Sequence, residues 1–190
     1  EIATQIWSQM EKFGLYAFNR SHSACYAFLS CITAYMRCYW PAEFYAAMCN
    51  AFIANSDKLH SYFSQATHLG IKLLSPDVNK SGIVFTAEKD GIRYGLGGIS
   101  GIKGQAEEIV GERKNGEYKS VKNLFDRMAG RDSMLTKTVI EGLVYSGALS
   151  SFSQNKNSLL QAFPILQKAY KATATDRALG QISMFGNLEE

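Results

Sequence analysis

The sequence lacks the features that mark several common classes of protein. It contains three histidines and four cysteines, and no two of the cysteines have the Cys-x-x-Cys spacing. We therefore expect no zinc site. Every apolar stretch is interrupted well before the ~18 residues of a membrane span, and no charged segment leads into an apolar core as in a secretory signal. We expect a cytoplasmic protein without a membrane partner.

The sequence also has no large excess of positive or negative charge. Its net charge of +3 is too small to predict nucleic-acid binding by itself. A local excess of basic residues does occur between 113 and 127, and a solvated surface explains it equally well. The cysteines lie among apolar residues at helical spacing, so we expect Cys25, Cys31, Cys38 and Cys49 to be reduced and mostly buried. The chain opens at Glu1 directly into a helical pattern, which suggests a piece of a longer polypeptide.

Helical periodicity dominates what is present, and the fold class we predict is mainly α. A first helix should end at Gly14, and a second, broadly apolar one should be buried on most sides. Pro41 should start a third helix, and Asp57 a fourth that stops at Gly70. Further helices are predicted over residues 105–113, 121–128, 137–146 and 157–171, with a flexible tail from Thr173.

A short β-hairpin should interrupt the helices. The runs Ile83 to Thr86 and Ile92 to Tyr94 are extended and apolar, and Asp90-Gly91 between them is a hairpin turn signal. The segment from Ile71 to Asn79 should be extended chain.

Polar residues crowd the start of the second predicted helix, where Asn19, Arg20, Ser21, His22 and Ser23 follow one another. A helix N-terminus carries free N–H groups and a partial positive charge, so these donors indicate an anion site. The alternative is structural: Ser21 or Ser23 caps the helix and His22 is a satisfied, partly buried polar group.

A glycine-rich turn follows the β-hairpin. Ser100, Gly101, Ile102, Lys103 and Gly104 lie between a short helix and a second one, which is the pattern of a helix-hairpin-helix. Small residues would let backbone N–H groups approach a DNA phosphate while Ile102 fills the gap between the helices. Such contacts read no base sequence. A plain structural turn remains the alternative.

Two further signals are weaker. Lys137 stands at the start of a second helical pair and could reach another phosphate, or could be solvated. Near the end, Gln181 precedes the adjacent apolar residues Met184 and Phe185, a peptide that could dock in a partner's groove. A tail without function is the other interpretation.

Together these elements closely resemble the bacterial replicative DNA polymerase III alpha subunit family, from the end of its fingers domain through its helix-hairpin-helix module. Almost the whole chain is covered. The similar segments are residues 11–13, 16–24, 39–44, 76–79, 93–97, 124–126, 146–148, 180–181 and 184–186. Two positions depart from the family pattern: Arg20 stands where lysine is usual, and the second hairpin glycine is displaced to Gly104.

The resemblance implies a role for each motif. Asn19 to Ser23 would lie near the incoming nucleotide and template, Ser100 to Gly104 with Lys137 would hold duplex DNA, and Gln181, Met184 and Phe185 would bind the sliding clamp, the beta subunit. The parent enzyme would extend a primer with two Mg²⁺ ions held by carboxylates. Those carboxylates should lie outside this chain, so we expect no catalytic residue, metal site or cofactor within it.

The implied partners are primer-template DNA, an incoming dNTP, the sliding clamp and other replisome subunits. The implied domains are the end of the fingers over 1–80, a tandem helix-hairpin-helix domain over 81–172, and a tail with the clamp-binding peptide over 173–190. Two other functions remain open: a stand-alone helix-hairpin-helix module of a repair or recombination protein, and a helical protein-interaction domain without DNA affinity.

Overall fold

The computed structural model describes residues 1–17, 19–128, 136–153 and 155–178. The mainly α prediction is confirmed. The α-helices are α1 (Ile2–Ala17), α2 (Arg20–Tyr39), α3 (Pro41–Ala51), α4 (Ser56–His68), α5 (Lys103–Glu112), α6 (Val121–Met128), α7 (Lys137–Ser146) and α8 (Lys156–Ala178). The strands are β1 (Leu73–Leu74), β2 (Thr86–Glu88) and β3 (Gly91–Arg93), and 3₁₀ turns lie at Leu96–Gly98 and Arg113–Asn115.

The two N-terminal helices differ most from the sequence-based expectation. Helix α1 continues through Gly14 to Ala17, because an isolated glycine weakens a helix by only ~1 kcal/mol and removes no hydrogen bond. Helix α2 has no buried residue, so the prediction that it is buried on most sides is wrong. Its apolar side chains face solvent because no other described element covers them.

The burial of each cysteine depends on the helix that carries it. Cys25, Cys31 and Cys38 all lie on α2 and are exposed, which corrects the expectation of buried thiols. Cys49 on α3 is buried as expected. All four thiols are free.

Helices α3 and α4 pack against a small sheet to form the first core. Its buried residues include Tyr45 and Cys49 from α3, Leu59 and Ala66 from α4, and Ile92 from β3. A hairpin is present, with β2 antiparallel to β3, but β2 covers Thr86–Glu88 and not the predicted run from Ile83 to Thr86. Strand β1 adds an unpredicted third strand parallel to β3. A Cβ on Gly91 would lie 2.1 Å from the carbonyl oxygen of Lys72, and its φ is +148°, so glycine alone suits the turn.

The second core lies among α5, α6, α7 and the start of α8. It includes Leu96, Ile102, Leu124, Leu143 and Phe163. Tyr94 packs against this core and the first one and therefore joins the two.

Two asparagine side chains each form a pair of hydrogen bonds with the backbone of a residue that is distant in the sequence. The Asn79 amide donates to the Tyr118 carbonyl and its oxygen accepts from the Tyr118 N–H, both at 2.8 Å. Asn50 holds Phe85 in the same manner, at 2.8 and 2.7 Å. The loop before α6 and the segment before β2 are thus fixed by single asparagines.

The C-terminal end also departs from the expectation. Helix α8 continues to Ala178, so the prediction of a non-helical tail is wrong for residues 173–178. Residues 173–178 are Thr-Ala-Thr-Asp-Arg-Ala, in which alanine and arginine favour helix although no apolar stripe marks one. Within the part of the chain that the structure describes, no helix is both long and apolar enough to span a bilayer.

Candidate nucleic-acid interface

The glycine-rich turn is a sharp backbone reversal between the 3₁₀ turn at Leu96–Gly98 and α5. Gly101 has φ +84°, a left-handed conformation that disfavours any residue with a side chain. The Ile102 N–H donates to the Ile99 carbonyl at 3.3 Å and closes the turn. Ile102 itself is fully buried, as expected for the residue that fills the gap between the helices, while Ser100 and Gly101 are exposed.

The N-terminus of α5 opens onto this turn without a capping side chain. Ile102 is the N-cap residue and offers no side-chain acceptor, and the first turn of α5 carries no acidic residue. The partial positive charge of this helix end is therefore not offset locally. Gly104 lies in the first turn, exposed, and a Cβ built on it would meet nothing within 4 Å.

Helix α7 packs closely beside the same turn. A Cβ on Gly142 would lie 3.0 Å from the Ser100 carbonyl oxygen and 3.2 Å from Cγ2 of Ile102, so the absence of a side chain permits this approach. At the start of α7, Cγ2 of Thr138 would lie 2.7 Å from a Cβ on Gly101. The N-terminus of α7 therefore adjoins the turn.

Lys137 is the first residue of α7 and is thereby brought to the Gly101 turn. Its side chain is 81% exposed, and its ammonium lies 3.7 Å from Oε1 of Glu141, one helical turn further on. Thr136 caps the helix by accepting a hydrogen bond from the Val139 N–H at 3.4 Å. The structure thus brings Ser100, Gly101, Gly104 and Lys137 together as exposed residues. We call the segment from Ser100 to Gly104 together with Lys137 the turn surface. Its binding role remains a prediction.

The polar cluster at the start of α2 is also exposed. Asn19 is the cap residue: its Oδ1 accepts hydrogen bonds from the His22 N–H at 3.1 Å and from the Ser21 hydroxyl at 2.6 Å. This corrects the structural alternative in which Ser21 or Ser23 caps the helix. The His22 ring contacts the ring of Tyr26, with centroids 4.4 Å apart. Asn19 and Arg20 are exposed, and Ser23 is partly buried.

These cluster contacts are all with neighbours along the chain. Helix α2 packs against α3, which follows its C-terminal end, and roughly 30 Å of helix separates Arg20 from Tyr39. Among the described residues, no recorded contact of the cluster reaches the turn surface. The predicted clamp-binding residues Gln181, Met184 and Phe185 lie outside the described residues.

The basic segment between 113 and 127 is partly structural. Arg113 donates to the carbonyls of Val78 and Ser81, at 3.0 and 2.8 Å. Arg127 forms an ion pair with Glu112 and lies over the Tyr118 ring, 4.5 Å from its centroid. Sequence reasoning missed these roles because the partners of the two arginines lie between 9 and 35 residues away along the chain. Lys114, Lys119 and Lys122 remain exposed.

The turn, its plug residue and the helices beside it define the class of structure to which this region belongs. Residues 70–159 match the helix-hairpin-helix motif family. That range includes the whole turn surface and both helices that form it.

Comparison with curated proteins then identifies the family. The chain is 38% identical over 191 residues to the DNA polymerase III subunit alpha of Xylella fastidiosa strain 9a5c, covering 98% of the chain. It is 37% identical to that of Escherichia coli K12 and 36% identical to that of Borreliella burgdorferi, each over 100% of the chain. The chain belongs to the DNA polymerase III alpha subunit family. It spans 16% of the length of each of these relatives.

Proposed function

We propose that this chain is the DNA-holding part of a replicative DNA polymerase and that the turn surface binds duplex DNA through phosphates, independently of sequence. The observation that carries this proposal is the convergence of two helix N-termini: α5 without a capping side chain, and α7 with Lys137, meet at Gly101. Two such ends and the exposed ammonium of Lys137 suit a polyanion. The helix-hairpin-helix match supports the same function.

Gly104 adds a specific reason to expect an external ligand. Glycine in a helix costs roughly 0.5–1 kcal/mol relative to alanine. No atom of the described residues lies within 4 Å of the Gly104 Cβ position, so packing against them does not require glycine there. Gly111 is equally open, so we draw the inference from position: Gly104 lies in the first turn of α5, at the helix end that has no capping side chain, and we infer that a DNA backbone approaches there. The displaced glycine would then keep the family's close phosphate approach at a shifted position.

Two matched variants test this inference. Gly104→Ala should weaken binding to a labelled primer-template duplex about tenfold, which corresponds to ~1.4 kcal/mol, while leaving stability equal or higher. Gly111→Ala in the same helix is the control, because its Cβ position is equally open. It should leave affinity unchanged. Equal affinities for both variants would contradict the close-approach role.

The salt dependence of binding separates the competing functions. Phosphate contacts predict that affinity falls with salt by a slope of ~0.9 per neutralised phosphate, and Lys103→Glu or Lys137→Glu should reduce that slope. A stand-alone repair or recombination module would give the same slope but no clamp interaction. A helical interaction domain would not bind duplex DNA at low salt.

We further propose that Asn19, Arg20, Ser21, His22 and Ser23 contact the incoming nucleotide or template of the parent polymerase. The exposure of Asn19 to His22 at the entry of α2 and the cationic side chain of Arg20 support an anionic ligand. We also propose that the Mg²⁺ ions of the two-metal reaction are held by carboxylates outside this chain, as the resemblance to the polymerase family implies.

The clamp interaction is proposed from the sequence of residues 181–185. The double variant Gln181→Ala with Phe185→Ala should abolish binding to the cognate sliding clamp, because it removes the amide and one apolar anchor. The fold and DNA affinity should not change. Undiminished clamp binding by surface plasmon resonance would remove the peptide from the proposal.

A further inference from the structure

The first two helices each carry an uncovered apolar stripe. On α1 the stripe is Ile2, Ile6, Met10 and Phe13, whose side chains are between 52% and 76% exposed. On α2 it includes Cys25, Phe28, Ile32 and Met36, all exposed. Neither stripe contains a charged residue, and the opposite faces carry Thr4, Ser8, Glu11, Ser23, Ser30 and Arg37. Each helix is therefore amphipathic, with its apolar side in water.

The two stripes match in spacing when the helices are antiparallel. The intervals along α1 are four, four and three residues, and the same intervals run backwards along α2 from Met36 to Cys25. Ile2 would face Met36, Ile6 would face Ile32, Met10 would face Phe28, and Phe13 would face Cys25. Because the rise per residue is the same in both helices, all four of these residue pairs can be in contact at once.

The connection between the helices has the length that such a closure requires. Two residues separate Ala17 from Arg20, and antiparallel helix pairs are joined by loops of 2–5 residues, roughly. Asn19 already has extended backbone angles, φ −72° and ψ 97°, and caps the start of α2. A reversal at this point would leave the Asn19 cap intact.

We propose that α1 folds back onto α2 to form a helical hairpin, with the polar cluster from Asn19 to Ser23 at its tip. The occupant of the α2 stripe is thus α1 of the same chain. Closure covers both apolar stripes at once and presents the cluster at one exposed end. The proposal does not depend on DNA binding, so its failure leaves the function of the turn surface untouched.

Native Cys25 supplies a direct test. In the full chain with Cys31→Ser and Cys38→Ser, Phe13→Cys should form an intramolecular disulfide with Cys25 under mild oxidation, because closure brings their Cβ atoms within bonding range. Glu11→Cys in the same background is the control, since Glu11 lies on the opposite face of α1. We expect disulfide formation at least tenfold faster for Phe13→Cys, measured by peptide mapping and mass spectrometry.

A second pair of introduced cysteines controls for any effect of removing the Phe13 side chain. Met10→Cys with Phe28→Cys, in a chain where Cys25, Cys31 and Cys38 are serine, should cross-link at a comparable rate. Equal rates for facing and control positions would overturn the proposal. So would predominantly intermolecular disulfides, which would show that a second copy covers the stripe.

Discussion

At the residue scale, burial changes the chemistry of one thiol among four. Cys49 is fully buried in the first core, and desolvation raises its pKa from 9.0 to about 11. Tyr94, which joins the two cores, has a raised pKa for the same reason, with a smaller contribution from Cys49. Both groups favour the neutral form in the folded state.

The raised pKa of Cys49 predicts a loss of stability at alkaline pH. Below pH 9 the thiol is neutral in both states. Between pH 9 and about 11 the unfolded thiol ionises while the folded one stays protonated, so the free energy of unfolding falls as pH rises, by at most ~1.4 kcal/mol per pH unit. Urea titrations from pH 8 to 11 should show this slope.

The control is Cys49→Ala, which removes the thiol. Its slope should be shallower than that of the parent chain over the same window, with the remainder due to Tyr94 and other groups. Identical slopes in the two proteins would show that Cys49 does not titrate as burial requires.

Some residue roles could be read from the sequence and others could not. The conformational demand at Gly101 was predictable, since a glycine-rich turn between helices favours positive φ. The roles of Asn79 and Arg113 were not, because their partners lie 32 to 39 residues away and only the folded chain brings them together. Asn19 was placed in the polar cluster, but its capping bond appeared only in the structure.

At the element scale, helices with strong end signals were predicted well. The bounds of α6 and α7 agree with the prediction, and Gly147, which has φ +84°, caps the end of α7 after Ser146. Strand β1 was missed because two residues carry no periodicity, and its pairing with β3 is set by tertiary context. The burial of α2 was misjudged because periodicity shows which face is apolar but not what covers it.

The contact between α7 and the turn predicts that position 142 controls the turn surface. Gly142→Val should lower the free energy of unfolding by ~1–3 kcal/mol, since its branched side chain would press on the Ser100 carbonyl and Ile102. DNA affinity should fall as well, because α7 and Lys137 are displaced from the turn. Chemical denaturation and duplex titration measure the two effects.

Gly111→Val is the matched control for this substitution. It places the same side chain in a helix at a position with nothing within 4 Å, so only the helix propensity changes. A Gly142→Val protein as stable as this control would show that the close approach of α7 is not required.

At the scale of the whole molecule, stability is concentrated after residue 40. Both cores draw their buried residues from Tyr45 onward, whereas α1 and α2 contribute none that the structure describes as buried. The last part of α2 does contact α3, since Arg37 lies over the Tyr45 ring at 5.7 Å and Tyr35 contacts Trp40. The folding unit should therefore begin within α2.

A shortened chain tests this division. A protein that begins at Ser30 keeps the contacts of Tyr35 and Arg37 with their partners and loses α1 with the first half of α2. We expect its two cores to unfold cooperatively, because the removed residues bury no side chain in either core. The free energy of unfolding should fall only by the contribution of the proposed contact between α1 and α2, which this protein has lost. Its affinity for duplex DNA should also be unchanged, since the turn surface is intact. A loss of cooperative unfolding, followed by circular dichroism, would show that the N-terminal helices stabilise the cores. A selective loss of DNA affinity would instead place part of the duplex contact on residues 1–29.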